Sequence, residues 1–378
     1  MKYVLLLFFP LIFWCCNPKE EDVIIKPSEE EFTRIPVGKT NPAFVFVNYK
    51  PWFTKAFNKS NYQPLTGFYD SNDDIIQEYQ LLLMKYCGID ALVIDWYGNN
   101  SVPEYKASLN ATNAIVEKTA EAGLYFTIAY EDTCVNLAGR QSGRLPVEIA
   151  REDMKYIEDK YFSKVNNAKM ENFDLMLTQG PLYFKTKEEW TEIMGVFKTQ
   201  PVMLSWWTLS YKAGEKNSQG EFAWIDFNPY LDETNKIYSS AHRYKIGAVF
   251  QGYNVYKNSP HIFGIDSLGY EGGRLLQRTM DIADARKARY VQIVTWNDYQ
   301  AGTMVEPTVE RGFDDLERIQ KWTGVDYGRS DLELIFEYYQ KKEKNKTNTA
   351  TTAQLKEVYS SLLKLDVAGA RAKLAAIP

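Results

Sequence analysis

Short apolar runs alternate with longer amphipathic segments along the chain from about residue 42 onward. Most runs are apolar at nearly every position rather than at every second one, which is typical of parallel strands covered on both faces. The chain therefore contains eight predicted strand regions. They cover residues 43–49, 91–97, 125–130, a weaker region at 173–177 and 182–184, then 202–207, 222–226, 247–252 and 291–296.

The amphipathic segments between the strands predict helices. The first helix starts near Asp73 and Asp74, which are favourable at a helix start, and Gly88 follows its end. Eight strand–helix repeats over roughly 260 residues fit an α/β fold of the (β/α)₈ TIM-barrel type. The usual nucleotide-binding forms of the open sheet are excluded, because no G-x-G-x-x-G or P-loop follows the first strand. The predicted helices cover residues 73–86, 103–122, 147–165, 187–197, 230–242 and 273–288.

The end of the chain has a different character. Residues 332–344 and 353–374 are predicted helices in which Ala, Leu and Lys dominate, and they either pack on the barrel or form an accessory hairpin. No chemistry is visible in them. The predicted organisation is a signal peptide at 1–16, an acidic tether at 17–41, the barrel at 42–325 and C-terminal helices at 326–378.

The amino-acid composition limits the kinds of binding and catalytic site that the chain can form. Lys and Arg total 44 against 49 Asp and Glu, a net charge of −5 without a basic run, which disfavours nucleic-acid binding. The chain has 26 Tyr, 20 Phe and 9 Trp, but its only histidines are His242 and His261. Two separated histidines cannot form a histidine-rich metal site and leave few options for a Ser-His-Asp triad. We therefore predict carboxylate chemistry with no metal or cofactor.

The N-terminus predicts a secreted, anchored protein. An apolar run at residues 3–14 is too short to span a bilayer and is followed by two cysteines. This resembles a bacterial lipoprotein signal with Cys16 as the lipidated residue; an ordinary secretory signal is the alternative. The acidic residues that follow resemble the tag by which Bacteroides-type bacteria send lipoproteins to the cell surface. We expect an outer-membrane location, facing the cell surface or the periplasm, with membrane contact through the lipid anchor only.

Cys87 and Cys134 are the remaining cysteines. No C-x-x-C spacing exists outside the signal, so the sequence contains no zinc or redox motif of that type. Two buried thiols are the default prediction, and one disulfide in an oxidising compartment is the alternative.

Polar and aromatic residues follow seven of the eight predicted strands. The carboxyl ends of the strands form the active face of a β/α barrel. Aromatic rings bind the C–H faces of sugars, amides and carboxylates bind their hydroxyls, and paired carboxylates are what glycosidic cleavage requires. The recurrence therefore predicts a carbohydrate site. The segments are 48–52, 95–98, 130–132, 206–207, 226, 251–254 and 296–300.

Each of these residues also has a purely structural interpretation. A single Trp or Tyr is more often packing than a sugar platform. Asp95 and Asp132 could be helix N-caps, and Tyr97 with Gly98 could be a turn. Only the repetition of the same chemistry at many strand ends favours the functional interpretation.

Several motifs together resemble glycoside hydrolase families 99 and 71, over about residues 43–312. Members of family 99 are endo-acting α-mannosidases or α-mannanases, and members of family 71 cleave α-1,3-glucan. The resemblance implies a (β/α)₈ barrel and an α-glycan substrate, digested outside the cell. The motifs are Tyr49-x-Pro51-Trp52, Gly67-Phe68-Tyr69-Asp70-Ser71, Gly88-Ile89-Asp90, Val93-Ile94-Asp95-Trp96-Tyr97-Gly98, Trp296-Asn297-Asp298 and Gly302-Thr303-Met304-Val305-Glu306-Pro307.

One position departs from the family pattern W-N-[E/D]-x-x-E. The first carboxylate is Asp298, which the resemblance implies as the base that deprotonates the sugar 2-hydroxyl to give an anhydro-sugar intermediate. The second, the general acid/base, is replaced by Ala301. Three explanations stay open: Glu131 or Glu306 supplies the acid, the protein binds glycan without cleaving it, or Ala301 is an introduced change.

The sequence therefore yields one main hypothesis and two alternatives. The main one is a surface glycoside hydrolase acting on an α-mannan or α-glucan. The alternatives are a glycan-binding lipoprotein that supplies a neighbouring import machinery, and a sugar-site barrel with lyase or isomerase chemistry. The predicted catalytic residues are Asp298, Glu131 and Glu306, and the predicted substrate-binding residues are Tyr49, Trp52, Asp95, Trp96, Tyr97, Trp206, Gln251, Tyr253 and Asn297.

Overall fold

A computed structural model describes residues 37–99, 102–228, 230–257 and 267–378. The predicted signal peptide, Cys16, His261 and most of the predicted tether lie outside the described residues. None of the helices in those ranges combines the length and apolar character needed to cross a bilayer.

Eight parallel strands close into a barrel. Seven neighbouring pairs run from β3 through β2, β1, β11, β8, β7 and β6 to β5, and the pairing of β3 with β5 completes the ring. The predicted (β/α)₈ fold is confirmed. A short β4 adds antiparallel to β5, and β9 and β10 form a separate two-stranded sheet. The strands are β1 Phe44–Tyr49, β2 Ala91–Trp96, β3 Tyr125–Tyr130, β4 Lys169–Met170, β5 Phe173–Thr178, β6 Val202–Trp206, β7 Gly220–Phe222, β8 Tyr244–Phe250, β9 Tyr253–Asn254, β10 Ser267–Leu268 and β11 Tyr290–Val294.

Helices surround the barrel, and four more helices follow its last strand in the chain. A π-helical turn, Ile157–Phe162, extends α4, and a 3₁₀ turn, Glu271–Gly273, precedes α8. The helices are α1 Asp74–Tyr86, α2 Pro103–Ala122, α3 Cys134–Ser142, α4 Pro146–Tyr156, α5 Lys187–Met194, α6 Ser210–Ala213, α7 Asp232–Ser239, α8 Arg274–Ala285, α9 Asp314–Thr323, α10 Arg329–Lys344, α11 Thr349–Leu363 and α12 Val367–Ala375.

Side chains alternate between the barrel interior and the surrounding helices. On β1, Phe46 belongs to the cluster inside the barrel, whereas Val45 and Val47 belong to the larger cluster beneath the helices. Successive side chains on a strand point to opposite faces. The residues two and four positions after Phe46, Asn48 and Lys50, therefore project inward at the carboxyl end.

Two predicted elements differ from the observed ones near the site. Residues 182–184 do not form a strand, because their backbone N–H groups all donate to the buried carboxylate of Asp132, at 2.9–3.2 Å. The predicted strand at 222–226 is placed too late, since β7 ends at Phe222 and its paired residues begin at Gly220. A Cβ at Gly220 would lie 1.9 Å from the carbonyl oxygen of Tyr244, so only glycine permits this approach of β7 to β8.

The C-terminal helices pack on the barrel layer. Tyr338 on α10 donates a hydrogen bond to Glu78 on α1 at 2.9 Å, and Tyr86 donates to the carbonyl of Leu362 at 3.0 Å. The predicted helix at 353–374 is in fact two helices. Leu365 takes a positive φ of 62° between them, and Asp366 caps the start of α12 by accepting from the N–H of Gly369.

Both remaining cysteines are buried free thiols, as the default interpretation predicts. Cys87 lies in the core at the end of α1, and its thiol points to the carbonyl of Leu316 at 3.8 Å. Cys134 begins α3, with its sulfur 3.9 Å from the hydroxyl of Tyr130. Burial raises the pKa of both thiols, so they are kept protonated and unreactive.

Candidate active site

A cavity of about 130 Å³ opens at the carboxyl ends of the barrel strands. Its walls come from the carboxyl ends of seven barrel strands and from the segments that follow them, as expected for the active face of this fold. Carboxylates, one ammonium group and several rings share this small space. The lining residues are Lys50, Glu131, Gln179, Leu182, Trp206, Trp224, Ile225, Phe227, Tyr253, Asp298, Ala301 and Thr303.

Lys50 places a positive charge among three carboxyl groups. Its ammonium forms an ion pair with Asp95, and its charge also acts on Asp298 and Glu131. Burial alone lowers the pKa of the Lys50 ammonium, but the neighbouring carboxyl groups, Asp95 foremost, outweigh burial and raise it. Lys50 therefore stays protonated and contributes a fixed positive charge to the cavity.

Both carboxyl oxygens of Asp95 are bound by protein side chains. Asn48 donates to Asp95 Oδ1 at 2.7 Å, Gln179 donates to the same oxygen at 3.0 Å, and Lys50 pairs with Oδ2. The side chain is fully buried and is not part of the cavity lining. In this position Asp95 fixes the ammonium of Lys50 rather than offering free oxygens to a sugar.

Glu131 presents its carboxyl group to the cavity. Within the described part of the chain, no group donates a hydrogen bond to this carboxyl, although the residue is only partly exposed. Burial, together with the negative charge of Asp95, raises the pKa of Glu131 to about 8, and the opposing effect of Lys50 is smaller. At neutral pH Glu131 is therefore mainly protonated, which is the form that can give a proton to a leaving group.

Asp298 lines the same cavity but is held by the loop after β11. Its Oδ1 accepts the backbone N–H of Ala301 at 3.0 Å, and its own N–H donates to the hydroxyl of Thr295 at 2.9 Å. Burial raises the pKa of Asp298, while the Lys50 charge and the Ala301 N–H act against that rise. Both opposing contacts favour the ionised form that a base requires.

Asn297 ties the loop after β11 to the end of β1. Its Oδ1 accepts the backbone N–H of Lys50 at 2.8 Å, and its Nδ2 donates to the backbone carbonyl of Lys50 at 3.0 Å and to the Tyr69 hydroxyl at 3.2 Å. It is fully buried. The predicted hydroxyl-binding residue therefore positions Lys50 and does not line the cavity.

Glu306 lies behind the cavity, outside its lining. Its Oε2 accepts from the hydroxyls of Tyr69 and Tyr299, at 2.8 and 2.9 Å, and its Oε1 accepts from Gln80 at 2.7 Å. Burial raises the pKa of Glu306 to about 7, and these three hydrogen bonds oppose the rise. The arrangement joins α1 to the segment after β11 and leaves little carboxyl surface for a substrate.

Replacing Glu306 with glutamine is expected to lower the free energy of unfolding by about 2–3 kcal/mol at pH 8. The amide would turn an NH₂ group toward side chains that already donate to this position. Denaturant unfolding followed by circular dichroism measures the change. Unchanged stability combined with loss of glycan cleavage would instead place Glu306 among the reacting groups.

Aromatic rings border the cavity on several sides. The Lys50 ammonium lies 4.9 Å from the ring of Trp52 and 5.2 Å from the ring of Trp224. Trp206 meets Trp224 edge to face at 6.1 Å. Trp206 and Tyr253, two of the predicted ring platforms, line the cavity. Such a set of rings and charges suits the mixed apolar and polar surface of a sugar.

Other predicted binding residues lie away from the lining. Trp96 packs in the helical layer against Tyr156, with the rings stacked 5.7 Å apart, because it follows the inward-facing Asp95 on β2. Tyr49 donates to Gln80 at 2.9 Å on the helical side of β1. Tyr97 contacts Trp52 edge to face at 5.4 Å, so both lie at the edge of the site.

Gln251 supports the loop that carries Asp298. Its Nε2 donates to the carbonyl of Gly302 at 2.9 Å, and its Oε1 accepts from Arg311 at 2.6 Å. The residue is buried and outside the cavity lining. It therefore holds the turn at Gly302, whose φ of 66° places it in the left-handed region.

Eight of the twelve lining residues are absent from the predicted site, and among them Lys50, Gln179 and Trp224 follow a sequence signal that could have found them. The signal for Lys50 and Trp224 is the two-residue period, since each continues the inward series of its strand, after Phe46 and Phe222 respectively. Gln179 has the same relation to Leu177.

Across residues 37–99, 102–228, 230–257 and 267–378, no group of three or more His, Cys, Asp or Glu side chains is arranged to hold a metal ion.

The comparisons with known proteins concern the fold. No protein-family model and no curated protein matches the sequence. The GH99 endo-alpha-mannosidase from Bacteroides thetaiotaomicron in complex with BIS-TRIS propane is similar in structure, with a TM-score of 0.60 and 17% identity over 74% of this chain and 95% of that chain. A glycoside hydrolase-like protein is similar with a TM-score of 0.59 and 12% identity over 79% of this chain and 99% of that chain. The resemblance to glycoside hydrolase family 99 that the motifs predict is confirmed in the fold of the chain.

Proposed function

We propose that this protein is a glycoside hydrolase that cleaves an α-linked polysaccharide, an α-mannan or an α-glucan, outside the cell. The observation that carries the proposal is the pair of carboxyl groups, Glu131 and Asp298, in one cavity bordered by Trp206 and Trp224. The fold shared with an endo-alpha-mannosidase supports it. Anchoring through Cys16 at the cell surface is part of the same proposal and rests on the N-terminal sequence alone.

The two carboxyl groups divide the chemistry of bond cleavage. On an α-mannoside, whose 2-hydroxyl is trans to the leaving group, Asp298 accepts the proton of that hydroxyl, and the resulting oxygen attacks the anomeric carbon to form an anhydro sugar. Glu131 gives its proton to the glycosidic oxygen, so the leaving sugar departs as a neutral alcohol. Water then opens the anhydro ring; the Glu131 carboxylate takes a proton from this water, and Asp298 returns its proton to the 2-oxygen. Both groups end in their starting states.

Lys50 and Asp95 support this division without reacting. The Lys50 ammonium favours the ionised form of Asp298, while the Asp95 charge helps to keep Glu131 protonated. Burial has the largest effect on the pKa of both groups, and the ion pair then acts on them differently, because the Asp95 charge has the larger effect on Glu131 and the Lys50 charge the larger effect on Asp298. Glu131 thus replaces the acid that the family motif places at Ala301 with one from the end of β3.

Glycan binding without cleavage is the second function that one observation favours. Ala301 lines the cavity at the position where the family motif has its general acid, so a hydrolase that lost its acid would have this appearance. A surface protein of that kind would hold α-glycan for a neighbouring import machinery. The two functions differ in whether any α-glycan is turned over.

The test is to incubate purified protein that lacks residues 1–16 with a panel of α-mannans and α-glucans and to determine the masses of the products. The proposal predicts that wild-type protein releases oligosaccharides from at least one of them. No product from wild type, with cleavage appearing in Ala301→Glu, would contradict the proposal and support the binding function. Asp326→Asn, an exposed change outside the cavity, serves as the control for side-chain replacement.

A further inference from the structure

A buried carboxylate holds the loop between β5 and α5. Asp132 is fully buried, and its Oδ2 accepts the backbone N–H groups of residues 182–184 at 2.9–3.2 Å. The N–H of Leu182 also donates to Oδ1 at 3.2 Å. A carboxylate accepts several donors at once, whereas the amide of asparagine has one oxygen and an NH₂ group that only donates. This set of hydrogen bonds therefore requires a carboxylate at position 132.

The same loop forms part of the wall of the candidate active site. Lys212 donates to the carbonyl of Pro181 at 3.2 Å, and the next residue, Leu182, lines the cavity together with Glu131. The cavity has a volume of only about 130 Å³, so a shift of this wall changes how much water reaches the carboxyl group of Glu131. The hydrogen bonds to Asp132 thus fix an apolar side chain in the same small space as the proposed acid.

We propose that Asp132 is a positioning residue for the proposed acid, because it holds the backbone of residues 182–184 so that Leu182 closes the cavity in which Glu131 keeps its proton. This deepens the proposed function and depends on it. Asp132 itself does not line the cavity, so it acts through the loop and through its charge. Two consecutive residues therefore have separate tasks: Glu131 faces the cavity, and Asp132 holds the wall.

The charge of Asp132 acts in the same direction as its hydrogen bonds. Burial raises the pKa of Asp132 to about 6, and the backbone N–H groups and Lys212 oppose the rise, so Asp132 is mainly ionised at neutral pH. Its negative charge in turn helps to raise the pKa of Glu131, after burial and the charge of Asp95. Removing the carboxylate admits water and removes a negative charge, and both changes lower the pKa of Glu131. The other titratable or charged groups that act on one or both of these carboxyl groups are Lys50, Asp95, Tyr97, Tyr130, Cys134, Lys212 and Asp298.

The pH dependence of α-glycan cleavage by Asp132→Asn tests this inference. We expect kcat near neutral pH to fall by roughly 10–10²-fold, the scale of a misplaced catalytic group. Because Glu131 acts in its protonated form, the wild-type rate should fall as the pH rises through about 8, and this limit should lie about one pH unit lower in Asp132→Asn. Amide hydrogen exchange should show lost protection at residues 182–184 in the same variant. Leu182→Ser keeps the backbone hydrogen bonds to Asp132 and removes only the apolar wall, so it should lower the same pH limit even if Asp132→Asn does not fold.

Asp153→Asn is the matched control. Asp153 is also a buried aspartate, and it accepts from the backbone N–H of Asn99 at 2.6 Å and from the hydroxyl of Tyr130 at 2.9 Å, but it lies outside the cavity lining. Its replacement should cost stability and leave the pH limit of the folded enzyme at the wild-type value. A wild-type pH limit in folded Asp132→Asn, or in Leu182→Ser, would overturn the inference and leave the proposed function intact. A wild type that cleaves no α-glycan would overturn both.

Discussion

Replacing Glu131 with glutamine is expected to lower the rate of α-glycan cleavage by about 10²–10⁴-fold, the usual contribution of a positioned proton donor. Glutamine preserves the size of the side chain but cannot give a proton to the glycosidic oxygen. Because the carboxyl group of Glu131 receives no hydrogen bond from the described part of the protein, the exchange breaks no side-chain hydrogen bond there and the fold should be retained. Initial rates of oligosaccharide release, measured on the preferred glycan, check the prediction.

Two other glutamates serve as controls for this change. Glu188 is exposed on α5, and Glu188→Gln should cleave glycan at the wild-type rate. Glu306→Gln should lose stability but retain cleavage in the fraction that is folded, since Glu306 lies outside the cavity. Wild-type rates in Glu131→Gln would remove Glu131 from the mechanism and return the acid role to another group.

The stability of wild-type protein should fall as the pH rises from about 4.5 to about 8. Glu131 has a pKa of about 8 in the folded protein, above its ordinary value of 4.5. Between these two values the folded state holds a proton that the unfolded chain has released, so the free energy of unfolding decreases with pH. Burial also raises the pKa values of Asp132, Asp153 and Glu306, and their effect has the same sign.

Comparing wild type with Glu131→Gln isolates the contribution of Glu131 to the pH dependence of the free energy of unfolding. Near pH 5 wild type and variant should have similar stability, whereas near pH 8 the variant should be more stable by roughly 3 kcal/mol, given about 1.4 kcal/mol for each unit of pKa. Denaturant unfolding at both pH values measures the difference. A difference that does not change with pH would mean that Glu131 ionises as it does in an unfolded chain.

The barrel was predictable from the sequence, and so was the end of the barrel at which the candidate site lies. Apolar runs of strand length that alternate with helices are compatible with only a few folds. A β/α barrel has its active face at the carboxyl ends of its strands. This places Glu131 and Asp298 at one end of the molecule although they are far apart in the chain. Their presence in one cavity agrees with that prediction.

The direction in which each side chain points was not predictable in the same way. Strands of a β/α barrel are covered on both faces, so both sets of alternating residues are apolar and the pattern does not reveal which set faces inward. This is why Trp96, on the outer face of β2, was grouped with the predicted platforms, and why Lys50, on the inner face after β1, was not. Once Phe46 is known to be inside the barrel, the positions of Asn48 and Lys50 follow.

The roles of buried polar residues depend on contacts between distant segments. Glu306 and Asp298 are both carboxylates that follow β11, and the sequence does not distinguish their roles. Glu306 accepts hydrogen bonds from two tyrosines and Gln80, whereas Asp298 lines the cavity. Asp132, one residue from Glu131, holds the backbone of 182–184 instead of facing the cavity. Local sequence carries no signal for most of these partners, because all of them except Tyr299 lie tens to hundreds of residues away.

The most direct test of the role of Glu131 compares two substrates that differ only in their leaving group. One is an α-oligosaccharide that wild type cleaves, and the other is the corresponding glycoside of an acidic phenol, which departs without needing a proton. A missing proton donor slows the first reaction and spares the second. We predict that, in the first turnover, before water has to open the anhydro ring, Glu131→Gln is severely impaired on the oligosaccharide and close to wild type in releasing the phenol. Equal impairment on both substrates would contradict the assignment of Glu131 as the acid.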